Sequence, residues 1–174
     1  MKSPAILANM ALRIRQSLHL AEILKTTVAE VRQWLKADRV IIYRFNKDWS
    51  GIVEVEAVND SKWSILGRVI TDPCFKQSWL EPYRKGRITT IEDIQHDTLT
   101  PCHGEFLEQY QVKANLVVPI LLTIDRQNNS PLTTELWGLL IAHECSQTRK
   151  WQAEEIDFLQ QLEPLWIVIH SDSP

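Results

Sequence analysis

The chain has 174 residues, of which 44% are hydrophobic and 24% charged, a balance typical of one soluble globular domain. A net charge of -3 and a pI of about 6.0 give no basic surface for nucleic acid or an anionic membrane. No apolar run is long enough to span a bilayer, and the N-terminal segment does not resemble a secretory signal.

The chain contains three cysteines, Cys74, Cys102 and Cys145, and no CxxC pair. An odd, low cysteine count argues against a disulfide framework and for a reducing compartment, so we expect a cytoplasmic domain. The missing CxxC pair argues against a structural zinc site. Seven tryptophans indicate a large core, an aromatic pocket or both.

The first third of the sequence predicts two helices and a strand hairpin. Residues 5–17 are typical of a short helix, and apolar residues at helical spacing continue through residue 35. The segment 38–46 is rich in β-branched and aromatic residues and predicts a strand. In the segment 49–58, the alternation of hydrophobic and polar residues predicts a half-buried second strand, with Val53, Val55 and Ala57 on one face.

The remaining elements are less regular. A weaker strand is expected at 67–70, and short helices with connecting segments are expected over 72–101. A helix from about 101 to 111 precedes two apolar strands, and these form a hairpin with a long polar loop. The closing helix covers 152–171 and is expected to bend near Pro164.

This order predicts an α+β fold in a single domain spanning residues 1–174. Hairpins favour a central antiparallel sheet, with the terminal helices on one face and the irregular insertion over a pocket on the other. The terminal helices, about 5–36 and 151–170, are expected to continue into linkers of a longer signalling protein. Core packing is our preferred interpretation of these helices, and pairing into a homodimer is the alternative.

The segment "TLTPCHGEFLEQYQV" places a cysteine in the first turn of a helix. Thr100 can cap the helix and Pro101 suits its first position. Free backbone N–H groups and a protonated His103 would both lower the pKa of the Cys102 thiol and favour its reactive thiolate. A buried structural cysteine is the alternative interpretation.

Cys74 has the opposite local environment, because Asp72 and Pro73 precede it. A nearby anion opposes formation of a thiolate. The arrangement makes sense if Asp72 faces a cationic ligand and Cys74 lies over the same ligand. Cys145, in an apolar strand, is interpreted as structural.

The segment "EPYRKGRITT" supplies Tyr83, Arg84, Lys85 and Arg87. A guanidinium suits carboxylate binding, whereas a solvated surface is the alternative for such a charge cluster.

Four blocks, in their order along the chain, resemble one family. They are "DRVIIYRFNKDWSGIVEVEAV" at 38–58, "DPCF" at 72–75, "CHGEFLEQYQVKANLVVPIL" at 102–121 and "LWGLLIAHEC" at 136–145. The chain, over about residues 6 to 170, resembles the cyanobacteriochromes, bilin-binding photosensory GAF domains of the phytochrome superfamily. The second block resembles their Asp-X-Cys-Phe, dual-cysteine subfamily.

The resemblance implies a GAF fold and a linear tetrapyrrole chromophore, phycocyanobilin and/or phycoviolobilin. It implies that Cys102 forms the permanent thioether to ring A and that His103 packs against the chromophore. Asp72 would accept hydrogen bonds from the pyrrole nitrogens, and Cys74 would add reversibly to the methine bridge C10.

Further chromophore contacts are implied for five residues, and the choice between two arginines stays open. The contacts are Tyr83 with Arg84 or Arg87 at a propionate, His143 from the sheet, and Trp79 and Phe75 packed nearby.

The implied function is a reversible photoswitch. Addition of the Cys74 sulfur shortens the conjugation, so that state should absorb blue light. Isomerisation between 15Z and 15E would release the bond and give a green-, teal- or orange-absorbing state. The domain would turn over no substrate, apart from self-directed bilin attachment and conversion of phycocyanobilin to phycoviolobilin.

Three alternative functions are considered for this sequence. A GAF domain that binds a cyclic nucleotide or other small ligand would explain the pocket but leave both cysteine contexts unused. A thiol-based methionine sulfoxide reductase could use Cys102 but predicts a resolving thiol pair. A scaffold domain that mediates dimerisation is the third alternative.

The photoreceptor hypothesis implies an output domain in the parent chain, such as a chemotaxis receptor. It predicts that this domain contacts neither nucleic acid nor a membrane.

Overall fold

The computed structural model describes residues 4–15, 20–71, 77–124 and 133–162. The helices in these ranges are α1 (Pro4–Arg15), α2 (Leu20–Leu35), α3 (Gln77–Arg84), α4 (Pro101–Gln109) and α5 (Ala153–Gln161). The strands are β1 (Arg39–Phe45), β2 (Gly51–Val58), β3 (Val69–Ile70), β4 (Thr89–Ile91), β5 (Ala114–Ile124) and β6 (Thr133–Glu144). A short 3-10 helix covers Ser61–Trp63.

The six strands form one antiparallel sheet in the order β3-β2-β1-β6-β5-β4. β1 and β6 therefore lie at its centre, although they are far apart in sequence. The arrangement confirms the predicted α+β class and the predicted hairpins. Among the described residues, no helix has the length and apolar character needed to cross a membrane.

The terminal helices cover one face of the sheet, as the sequence predicted. α2 buries Leu24, Val28, Val31 and Leu35, which recur every three or four residues and so share one stripe. The stripe belongs to the same core cluster as Met10 of α1 and Phe158 and Leu159 of α5. In the same cluster the ring of Trp34 stacks on that of Phe158 with centroids 3.7 Å apart. Packing within the domain therefore accounts for the apolar face of α2.

The opposite face of the sheet carries a second apolar cluster. Ile41 and Tyr43 of β1 belong to it, whereas Val40 and Ile42 belong to the helix-side core. Alternation along a strand sends successive side chains to opposite faces. Side chains of α3 and α4, including Tyr83 and Phe106, pack against this second cluster. The predicted cover of an irregular insertion over one face of the sheet is thereby confirmed.

A β-bulge changes the predicted face of one β2 residue. Ile42 pairs with Val55, but the next residue, Tyr43, pairs with Val53, so the register slips by one. An extra residue in one strand reverses the alternation beyond it. Val53 consequently joins the cavity-side cluster while Val55 stays in the helix-side core. The prediction that both valines share a face was wrong for this reason.

The region 72–101 contains more regular structure than predicted. β4 pairs with β5 at the sheet edge, and a strand of three residues is too short to show a recognisable period. The closing helix is described for Ala153–Gln161. The predicted bend at Pro164 lies outside the described residues.

Candidate functional site

A cavity lies between the second face of the sheet and the helices α3 and α4. It encloses about 700 Å³, including its open mouth. Most of its wall is apolar, from residues such as Ile41, Val117, Leu139 and Ile141. The polar side chains on its wall are Tyr43, Tyr83, Thr89, His103, Tyr110, Asn115 and His143. The cavity brings together Tyr83, His103 and His143 from three separate elements, all singled out from the sequence.

The start of α4 has the predicted local geometry. Thr100 is the N-cap and its hydroxyl oxygen accepts a hydrogen bond of 3.3 Å from the backbone N–H of His103. Pro101 occupies the first turn, where its missing N–H has no cost. Cys102 follows in an exposed position, and half-buried His103 lines the cavity. The alternative of a buried Cys102 is therefore wrong.

Cys102 takes part in a disulfide bond in this structure. The low cysteine count argued against a disulfide framework, and a single bond at Cys102 is not such a framework. A disulfide requires two cysteines whose Cα atoms lie within about 7 Å of each other, and sequence spacing does not reveal such proximity. Any chemistry of the Cys102 thiol therefore requires its reduced form.

His143 forms a buried polar contact at the cavity wall. Nε of Arg39 donates a hydrogen bond of 3.1 Å to Nδ1 of His143. Burial and the neighbouring Arg39 charge hold the pKa of His143 well below 6.5, so the ring is neutral. Because Nδ1 accepts the arginine bond, the single ring proton lies on Nε2. His143 therefore offers the cavity a hydrogen-bond donor.

Arg39 itself is completely buried. Its Nη1 donates to the carbonyl oxygen of Trp63 at 2.5 Å, and its Nη2 donates to that of Tyr110 at 2.7 Å. Together with the bond to His143, these contacts use all three nitrogens of the guanidinium. Arg39 thus fixes the orientation of His143 behind the cavity wall.

Asn115 is a second polar group on the sheet side of the cavity. It lies on β5 directly opposite His143 on β6. The side chain is 4% exposed and lines the cavity. Among the residues that the structure describes, none is a hydrogen-bond partner of its Oδ1.

Tyr83 on α3 lines the cavity, but the two arginines near it do not appear among its described lining residues. Burial raises the pKa of Tyr83, and a hydrogen bond to Thr89 and the nearby charge of Arg87 partly offset this. Arg84 is half-buried, and its Nη1 lies 3.7 Å from Oε1 of Glu81. Its guanidinium lies over the ring of Trp49. Arg87 is exposed. Carboxylate binding by either arginine stays a prediction.

Several predicted residues fall where the structure gives no description. Asp72, Cys74 and Phe75 lie outside the described residues, as does the side chain of Trp79 on α3.

Cys145 is a free, buried thiol, and burial raises its pKa to about 11. This position agrees with a structural cysteine.

Sequence reasoning missed Arg39 and Asn115. A charged residue opens the apolar strand "RVIIYRF", and an amide interrupts the apolar run "ANLVVPILL". Each was a signal, because burial of a polar group in an apolar strand requires a specific partner.

The family of the chain follows from comparison with known proteins. Residues 19–162 match the GAF domain family. The chain belongs to the GAF domain family. The predicted GAF fold is thereby confirmed.

Relatives of this GAF domain occur within larger proteins of cyanobacteria. One, described as a methyl-accepting chemotaxis protein of Synechocystis sp., is 44% identical over 90% of this chain. Another, a circadian input-output histidine kinase of Synechocystis sp., is 33% identical over 90% of this chain. The chain spans 15% of the first relative's length and 23% of the second's.

Solved structures with the same fold contain bilin-binding domains. The blue-light-absorbing form of the PixJ GAF domain of Thermosynechococcus elongatus is 38% identical, with a TM-score of 0.67 over 97% of this chain and 87% of that chain. A far-red-absorbing dark state with bound biliverdin IXa is 27% identical, with a TM-score of 0.82 over 95% and 97% of the two chains. A phycocyanobilin-bound GAF domain from a cyanobacterial phytochrome is 30% identical, with a TM-score of 0.79 over 99% of this chain and 96% of that chain.

Proposed function

We propose that this GAF domain is a photosensory module that covalently binds a linear tetrapyrrole. The observation that carries the proposal is the convergence of Tyr83, His103 and His143 on one cavity beside the helix whose first turn contains Cys102. The likeness to GAF domains solved with biliverdin and phycocyanobilin supports it.

The cavity suits a large conjugated ligand. Its apolar wall would bury the flat faces of the pyrrole rings and exclude water, and its few polar groups would fix their orientation. A bound tetrapyrrole would supply light absorption and a double bond that isomerises on excitation.

Cys102 is the proposed anchor. Its thiol would add across a double bond at ring A. The sulfur would bond to one carbon as a thioether and the proton to the other, so the addition needs no oxidant or reductant. The first turn of α4 favours the thiolate at this position. Because Cys102 is disulfide-bonded in this structure, loading requires a reducing medium.

The polar groups around the cavity suggest how the ligand is oriented. His143 would donate from Nε2, and His103 would pack against the rings. Tyr83 with Arg87 would hold a propionate. We prefer Arg87 to Arg84 because Arg87 is close enough to lower the pKa of Tyr83, whereas Arg84 already contacts Glu81 and Trp49. Asp72, Phe75 and Trp79 keep their proposed contacts from the sequence resemblance.

Cys74 is the proposed reversible nucleophile. Addition of its sulfur and proton across the central methine bridge would shorten the conjugation and give a blue-absorbing state. Release of the same atoms would restore a green-, teal- or orange-absorbing state. Phycocyanobilin, phycoviolobilin or a mixture of the two is the proposed pigment. A PixJ GAF domain solved in a blue-light-absorbing form supports the proposed blue-absorbing state.

The domain is proposed to act as the sensor of a longer, cytoplasmic signalling chain and to turn over no substrate. Its relatives named as a chemotaxis protein and a histidine kinase support an output region of that kind. The face of the sheet opposite the cavity packs on α1, α2 and α5, and these helices would carry the response.

An absorption spectrum tests the proposal directly. The protein is produced together with phycocyanobilin under reducing conditions and measured before and after blue illumination. A blue band that falls while a green-to-orange band rises, reversibly, is the expected result. A single unchanging band would contradict the Cys74 chemistry, and a colourless protein would contradict the photosensor.

A further inference from the structure

Asn115 is a buried residue on the cavity wall whose side-chain oxygen has no hydrogen-bond partner among the described residues. Asn115 is 4% exposed, and its neighbours along β5, Ala114 and Leu116, are completely buried. The described residues provide no hydrogen-bond donor to its Oδ1. Buried polar atoms are almost always paired, so an unpaired acceptor on a residue that lines a cavity points to a partner on a ligand.

The residue opposite Asn115 adds a donor to this acceptor. Asn115 and His143 are direct partners in the β5–β6 ladder, and side chains so paired lie about 5 Å apart at Cβ. Both line the same cavity. Because Arg39 occupies Nδ1 of His143, the remaining donor is Nε2–H. An acceptor and a donor side by side match a ligand edge that carries an N–H next to a C=O.

We infer that Asn115 is a ligand-binding residue whose side-chain oxygen accepts the N–H of a lactam ring. The inference rests on the proposed function, since the terminal rings of a linear tetrapyrrole are lactams. It deepens that function by naming the group on the protein side that recognises the ring nitrogen. A carboxylate or a plain hydrocarbon edge would leave Asn115 unsatisfied.

The variant Asn115→Leu removes the acceptor, and Val117→Ile is its matched control. Val117 lies two residues along β5 and lines the same cavity, so the control adds apolar bulk without removing a polar group. The first measurement is the Tm of each reduced protein without bilin. We expect the Tm of Asn115→Leu not to fall below that of the control, because the lost oxygen accepts no hydrogen bond from the described residues. A clearly lower Tm would show that Asn115 supports the fold instead, and would overturn the inference.

The second measurement uses the same proteins loaded with phycocyanobilin. We expect Asn115→Leu to show a shifted absorption maximum and a smaller gain in Tm on loading than wild type, because a ligand hydrogen bond is missing. If wild type is coloured and Asn115→Leu matches it in both quantities, the inference is overturned while the photosensor stands. If wild type stays colourless, the photosensor itself fails and the lactam assignment falls with it.

Discussion

Arg39 and His143 form a buried hydrogen-bonded pair that joins the first strand of the sheet to the cavity wall, with Nε and Nδ1 3.1 Å apart. The same guanidinium holds the carbonyl groups of Trp63, at the end of the 3-10 helix, and Tyr110, at the end of α4. One side chain therefore positions three separate segments around the cavity, although none of them is its neighbour in sequence.

Replacing Arg39 should destabilise the domain strongly. Arg39→Met leaves one buried and two part-buried acceptors without their donor, so we expect the free energy of unfolding to fall by about 3 kcal/mol or more. Arg44→Met is the matched control on the same strand, since Arg44 makes an exposed ion pair with Glu54 that is worth at most about 1 kcal/mol. Urea unfolding of both variants measures the difference. Equal losses would contradict the structural role of Arg39.

The neutral state of His143 predicts a pH dependence of stability. Its folded pKa is well below 6.5, so below that pH the unfolded chain binds a proton that the folded chain does not. The free energy of unfolding should then fall by up to about 1.4 kcal/mol per pH unit as the pH drops from 6.5. Burial raises the pKa of Glu144 and acts in the opposite direction, so the comparison must be made against His143→Gln.

His143→Gln retains an acceptor for Arg39 but cannot titrate. Chemical unfolding of both proteins between pH 7 and pH 5 should show the wild type losing stability relative to the variant. A constant difference across this range would mean that His143 takes up its proton in the folded state.

Cys102→Ala should abolish stable attachment of the chromophore. The protein would be produced with phycocyanobilin, denatured, separated on a gel and stained with zinc, which makes covalently bound bilins fluoresce. Wild type and Cys145→Ala should fluoresce, since Cys145 is a buried thiol with a raised pKa. A fluorescent Cys102→Ala band would place the anchor elsewhere.

Cys74→Ala should retain the bilin but lose the blue-absorbing state. Without the second sulfur the conjugation is never interrupted, so the longer-wavelength band should be present in the dark. The absorption spectrum after dark incubation decides this. A variant that still absorbs blue light would eliminate the second linkage.

Gly138 should tolerate no side chain, because a Cβ there would lie 2.3 Å from the carbonyl oxygen of Tyr43 on the adjacent strand. Gly138→Ala is expected to destabilise the domain by about 2 kcal/mol or more through displacement of β6 from β1. The control is Gly104→Ala in α4, where a Cβ meets no atom of the described residues within 4 Å and helix propensity favours alanine by about 1 kcal/mol. Thermal unfolding should shift the two Tm values in opposite directions, and a shared direction would refute this packing argument.

Local sequence patterns predicted the elements that depend on local interactions. The stripe of Leu24, Val28 and Val31 specifies a helix with one buried face. Thr100 and Pro101 specify where α4 begins, because capping satisfies N–H groups within one turn of the chain. Such signals act over a few residues and can be read directly from the sequence.

Tertiary structure decided which of these residues meet. The bulge beside Ile42 sends Val53 to the cavity side, and the pairing of β5 with β6 places Asn115 opposite His143. By itself the sequence determined the α+β class, the helix that carries Cys102 and the resemblance to bilin-binding GAF domains. The Arg39–His143 pair and the unpaired oxygen of Asn115 emerged only in the folded domain, because hydrogen bonds between residues far apart in sequence depend on strand order and register.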